Sequence, residues 1–235
     1  MIHSLAANEI DIIDEQSNFI IVNKPPGIGF HDDDNHQGFF NQVKSALSLG
    51  ELYPVHRLDK MTSGLIIFAK NKVTANRFQQ LFESRRIEKY YLAISDKKPN
   101  KKQGLIKGDM EKSRRGSWKL LRSQSNPAIS QFFSSGLTQG KRLFIVKPYT
   151  GKTHQIRVAL NSLGSPIIGD PNYYPSSKSD RGYLHAFTLR FEMNEQIYQY
   201  VNAPKIGKEY IDEVTSKAIK QILTPWTLPW PKLNN

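Results

Sequence analysis

Six short runs, each apolar or alternating with period two, limit what this chain can fold into: residues 19–23, 65–69, 90–95, 142–147, 185–192 and 196–201. Each has the length and patterning of a strand. Helical spacing occupies 39–49, 72–85, 155–163 and 211–223, and Gly164 stands where the third of these helices would end. The strands dominate the middle of the chain and do not alternate regularly with helices. That argues against a doubly wound parallel sheet. The pattern predicts an α+β fold with a mixed, mostly antiparallel central sheet flanked by helices.

The chain has 235 residues, 38% of them hydrophobic, which is enough for one large domain with a sizeable core. No repeat or clear linker divides it, and residues 1–235 read as a single domain. Cysteine is absent, so disulfides, thiolate metal sites and a cysteine nucleophile are excluded. The 33 basic residues against 21 acidic ones leave a net charge of +12. Such a charge favours polyanionic partners, with nucleic acid ahead of a membrane surface. The opening MIHSLAANEIDIIDEQ is mildly acidic and has neither a leader's apolar stretch nor a membrane span. A cytoplasmic protein acting as a monomer is the expectation.

Two motifs invite a reading that their neighbours deny. TGKTH (150–154) lacks the earlier glycine of a phosphate loop, because Val146 stands at that position. It does gather Lys152, His154, Gln155 and Arg157 at a helix start, which suits anions; the plain alternative is an ordinary helix capped by Thr153. HDDDNH (31–36) offers three successive aspartates that cannot all face one ion, and no second cluster completes a shell, so it reads as a solvated loop with no metal.

The chemistry concentrates at PVHRLDKMTSGLIIFAKN (54–71), where Asp59 lies among His56, Arg57 and Lys60 just before an apolar strand. Nearby cations favour an ionised carboxylate. Held ionised, it suits a nucleophile or a stabiliser of positive charge better than a general acid. Glycosidic bond cleavage develops such charge at the sugar. A glycosidase would present a second carboxylate, and none is evident.

VHRLDKMTSGLIIFAKN resembles the HRLDxxTSGLxxxAK motif of the RluA family of pseudouridine synthases. VNKPPGIGFH (22–31), IEKYYLAIS (87–95), PYTGKTHQIRV (148–158) with GSPIIGDPNYY (164–174), and LHAFTLRF (184–191) follow that family's order. The resemblance implies a pseudouridine synthase fold and isomerisation of uridine in structured RNA, ribosomal or transfer, without a cofactor. Asp59 would be the nucleophile, toward the ribose or the uracil ring. Tyr91 would pack on the target base and assist proton removal from carbon 5. Arg157 would pair with Asp59, and Arg57 would fill the gap in the RNA stack. His56, Lys152, His154 and Gln155 are further substrate-binding candidates. The family commonly has histidine where this chain has Ala159, which bears on substrate choice.

The catalytic segment begins almost at once, so RNA grip is expected from loops within 97–118. KSRRGSWK (112–119) is the densest cluster of cations, with Arg114 and Arg115 beside Gly116 at a hairpin tip and Trp118 able to stack on a base. Neither arginine lies in a catalytic-like motif, so the hairpin is expected to govern affinity and leave turnover alone. A non-catalytic RNA-binding or chaperone protein on the same fold would keep the basic surface but would not need Asp59, Tyr91 and Arg157 intact. A glycosidase-like enzyme on a nucleoside would not need the basic surface.

Overall fold

The computed structural model describes residues 10–233. Among them the elements run β1 (Asp11–Glu15), β2 (Phe19–Lys24), α1 (Phe39–Ala46), β3 (Tyr53–Pro54), β4 (Ser63–Ala69), α2 (Lys72–Glu83), β5 (Glu88–Ser95), β6 (Gln103–Gly108), β7 (Met110–Lys112), β8 (Trp118–Leu120), β9 (Ala128–Gly136), β10 (Arg142–Pro148), α3 (Gln155–Ser162), β11 (Leu184–Met193), β12 (Gln196–Val201), α4 (Lys208–Ile211) and α5 (Glu213–Lys220). They gather into two compact units. One runs up to Lys89 and includes Leu184–Pro204; the other holds Tyr90–Tyr183 and the segment from Lys205 onward.

In the first unit β2 pairs antiparallel with β1 and β4, β11 runs parallel to β4, and β12 returns antiparallel to β11. All seven residues of β4 are buried, because helices cover both of its faces. Alternate residues of a strand point to opposite faces. Leu65 and Ile67 therefore join Phe19, Ile21 and Leu189 beneath Phe78 and Leu81 of α2. Phe68 turns the other way, to Phe30 and to Phe39 and Phe40 of α1. Each such side chain contributes about 1.5–3 kcal/mol on burial. Asn71 starts α2 by accepting the Thr74 N–H at 2.9 Å, a cap worth about 1 kcal/mol.

In the second unit β5, β10, β9 and β6 form an antiparallel run, and β7 and β8 form a separate hairpin. The mixed, mostly antiparallel α+β reading holds. Residues 224–233 of the proline-rich tail form no α-helix, and the Trp230 ring lies 4.7 Å from Phe133 and 5.8 Å from Tyr90.

Three details differ from the sequence expectations. The helix expected over 211–223 breaks at Asp212, whose extended backbone ends α4 and whose carboxylate accepts the Thr215 N–H to start α5. The residue preceding α3 is His154 in a left-handed conformation, not Thr153, and no side chain caps that end. Strands β1, β6, β7, β8 and β9 carry too little apolar periodicity to be seen in advance. β9 is the clearest case, since its buried Ser130 and Gln131 are polar.

Candidate active site

The Asp59 turn is built on a buried cation. Lys24, at the end of β2, is fully buried. Its ammonium donates to the carbonyls of Pro25 and Thr62 at 3.0 Å and of Lys60 at 3.4 Å. A buried ammonium is tolerated only with such partners, so the lysine and the turn fix each other. The Gly27 N–H also donates to the Lys60 carbonyl at 2.7 Å, and the Thr62 N–H closes the turn on the Asp59 carbonyl at 3.0 Å. Asp59 itself is half-buried and Arg57 exposed. Sequence reasoning gave Lys24 no role; the signal was a lone lysine at the end of an apolar strand, directly before Pro-Pro-Gly. The Lys60 ammonium, expected to favour an ionised Asp59, sits 3.8 Å from an Asp33 carboxylate oxygen.

His56 anchors the motif's other end. Its Nε2 accepts the Ile67 N–H of β4 at 2.9 Å, and its ring lies 5.2 Å from that of Phe82. Burial, and after it the Lys89 ammonium, push its pKa down to about 3. A neutral ring is what an accepting Nε2 requires. Burial also lowers Lys89, to about 8, with its ammonium 5.3 Å from the Phe82 ring centre. Following Thr62, the buried Ser63 hydroxyl lies 2.7 Å from His185 Nδ1, and His185 Nε2–H donates to the Asn202 carbonyl at 2.7 Å. Gly64 has φ +109, and any Cβ there would collide with the Ala186 backbone. Thr-Ser-Gly is thus a structural signature: each residue docks the strand that follows Asp59.

In the second unit Tyr91 lies on β5 opposite Val146 and is 9% exposed. Arg157, on α3, is 3% exposed. Its Nε and Nη2 donate to the two carboxylate oxygens of fully buried Asp170, both at 2.7 Å, and Nη2 also donates to Asn172 Oδ1 at 2.6 Å. The guanidinium lies 5.1 Å over the Tyr173 ring. Two-point binding fixes the plane of an arginine as a single contact cannot. Asp170 was missed in the sequence, though it lies within the GDPNYY segment.

The other candidates divide by burial. The Gln155 amide is buried; its oxygen accepts from the Thr150 hydroxyl and the Lys152 N–H, and its nitrogen donates to Ile129 O and Ser130 Oγ. Lys152 Nζ donates to Asn126 at 2.9 Å, beside a cleft of about 410 Å³ that Trp118 and Asp109 also line. His154 Nδ1 lies 3.1 Å from the Tyr173 hydroxyl. Arg114 and Arg115 are exposed at the predicted hairpin tip, where Gly116 has φ +72. Two hairpin cations have partners within it: Lys119 with Glu111 at 3.1 Å, and Lys112 at 5.9 Å from the Trp118 ring centre. Asp32 and Asp33 of HDDDNH act as turn formers, accepting from the Gly38 N–H and the His36 N–H.

The family model described as RNA pseudouridylate synthase matches residues 18–162. An uncharacterized RNA pseudouridine synthase of Haemophilus influenzae is 46% identical over 217 residues, covering 92% of this chain and 97% of that one. The ribosomal large subunit pseudouridine synthase C of Rickettsia bellii is 34% identical over 74% of this chain, which spans 61% of the Rickettsia protein. The solved human RNA pseudouridylate synthase domain containing 4 superposes with a TM-score of 0.68 at 25% identity, over 83% of this chain and 89% of that one. A held aspartate turn, a rigidly oriented arginine and these likenesses meet in one conclusion: the chain belongs to the RNA pseudouridine synthases, isomerases that convert uridine in RNA to pseudouridine.

Proposed function

We propose that the chain modifies specific uridines in ribosomal RNA, with Asp59 as nucleophile, Tyr91 at the target base and Arg157 as the cation serving the carboxylate. In the reaction the bond from C1′ to N1 breaks and one from C1′ to C5 forms. N1 gains a proton, C5 loses one, and the mass is unchanged. A base in folded RNA must be flipped out first, at a cost of a few kcal/mol. Phosphate contacts from a surface of net charge +12 offset that cost. Arg57, Lys152, His154, Arg114 and Arg115 supply substrate contacts in this reading. His56, through Nε2, and Gln155, through its amide, bond to the backbone and neighbouring side chains and position the motifs instead.

The observation that carries the reading is the Lys24 clamp, which presents Asp59 on a rigid turn ahead of β4. The ribosomal choice is supported by the names of relatives such as ribosomal large subunit pseudouridine synthase C; transfer RNA is the second candidate. The chain would act in the cytoplasm as a monomer, and among the described residues no helix is long and apolar enough to cross a membrane.

The test uses RNA from a strain lacking the gene. Carbodiimide labelling should reveal new pseudouridine after treatment with the wild-type protein and none after Asp59→Asn, which keeps the shape but loses the nucleophile. Product from the purified variant would sink the assignment. Modification confined to transfer RNA would move the substrate to the second candidate.

A further inference from the structure

We propose that Asn172 and Tyr173 are positioning residues through which RNA contact at the β7–β8 hairpin sets the orientation of the Arg157 guanidinium. The inference rests on the proposed roles of Arg157 in catalysis and of the hairpin in RNA binding. It changes the sequence expectation that the hairpin governs affinity alone.

Two adjacent side chains each touch both partners. Asn172 Oδ1 accepts from Arg157 Nη2 at 2.6 Å, while Asn172 Nδ2 donates to the Arg115 carbonyl at the hairpin tip at 3.2 Å. The Tyr173 hydroxyl accepts the Trp118 N–H of β8 at 2.8 Å and shares a hydrogen bond with His154 Nδ1 at 3.1 Å. The ring of the same tyrosine lies under the guanidinium at 5.1 Å.

Three properties make these contacts a linkage. The first is the planarity of the Asn172 amide. Its oxygen serves Arg157 and its nitrogen serves Arg115; flipping the amide would set donor against donor at the guanidinium. A displaced Arg115 carbonyl therefore pulls on the end that holds Arg157. The second is that Asp170 makes the segment one body. Its carboxylate accepts the Asn172 N–H at 2.9 Å and the Tyr173 N–H at 3.1 Å while it binds Arg157. The third is the tip itself. Arg115 has φ +54, next to Gly116 at φ +72. A non-glycine residue there costs about 1–2 kcal/mol, so surrounding bonds, including the one from Asn172, hold the tip in shape. Phosphates reaching the exposed arginines act on that tip. Coupling of this kind requires a contact that differs between free and bound states, and the Arg115–Asn172 bond is placed to be that contact.

A mutant cycle tests the linkage. RNA from the deletion strain is treated with excess protein, and carbodiimide labelling gives the maximal single-turnover rate and the half-saturating protein concentration. Tyr173→Phe keeps the ring under Arg157 and removes the hydroxyl. It should lower the maximal rate about fivefold and leave half-saturation within about twofold of wild type. Replacing Arg114 and Arg115 with alanine should weaken binding and lower the maximal rate to a similar degree. Combining all three changes should lower the rate no further than the hairpin pair does. Asn172→Asp, which keeps the acceptor for Arg157 but loses the donor to Arg115, should repeat the Tyr173→Phe result. Losses that multiply independently overturn the inference, as does an unchanged maximal rate in both Tyr173→Phe and Asn172→Asp, whatever happens to the melting temperature. No product from the wild-type protein would instead overturn the proposed function.

Discussion

At the scale of single residues, Arg157 and His56 show how burial decides what a polar side chain can do. Arg157 and Asp170 are 3% and 0% exposed. Removing one partner of a buried pair strands the other charge, at about 3–5 kcal/mol. Asp170→Ala should lose that much stability by urea unfolding. A loss below about 1 kcal/mol would mean that water reaches the pair. His56 makes a pH prediction. Its pKa falls from the usual 6.5 to about 3 on folding. Between those values the unfolded chain binds more protons, so this group's contribution is present above pH 6.5 and is lost as pH falls toward 3. His56→Gln should flatten that part of the stability curve. An unchanged slope between about pH 4 and pH 6 would show that the ring does not titrate as its burial requires.

At the scale of elements, β4 ties the Asp59 turn to the sheet. Its register with β11 sets Gly64 against Ala186 in a parallel pair. An alanine at position 64 meets both the Ala186 backbone and an unfavourable φ of +109. Gly64→Ala should cost about 3 kcal/mol or more and lower the midpoint of thermal unfolding. A variant as stable as wild type would mean that the two strands can separate without loss. β9 teaches the converse. Buried Ser130 accepts from Gln155 Nε2, and buried Gln131 accepts from the Tyr149 hydroxyl and donates to the Pro231 carbonyl. Its polar residues look like loop in the sequence because their partners lie up to 100 residues away.

At the scale of the whole molecule, the net charge of +12 makes RNA binding a salt-dependent process. Replacing Arg114 and Arg115 with alanine should lower the slope of log affinity against log salt by up to about one unit for each phosphate that the hairpin no longer neutralises. Filter binding at several salt concentrations measures it. An unchanged slope and affinity would make the hairpin a solvated one. Lys119 and Lys112 should contribute less than their charge suggests, because Glu111 and the Trp118 ring already engage them.

The sequence by itself determined the fold class, because periodicities of two and 3.6 are local and survive without tertiary context. It also determined the family, because Asp59, Tyr91 and Arg157 lie in motifs that follow one another in the family's order. Only the tertiary structure decided which residues serve those motifs. Lys24 looked like any cation until its ammonium met three carbonyls, two of them more than 35 residues away. Asp170 had no role in the sequence until Arg157 met it across a buried bidentate pair. Gln155 and His56 read as substrate contacts in the sequence; only the fold shows the Gln155 amide and His56 Nε2 bonded within the protein. The reason is physical. A side chain's type fixes what it can bond to, but burial and partners remote in sequence fix what it does bond to, and both exist only once the chain has folded.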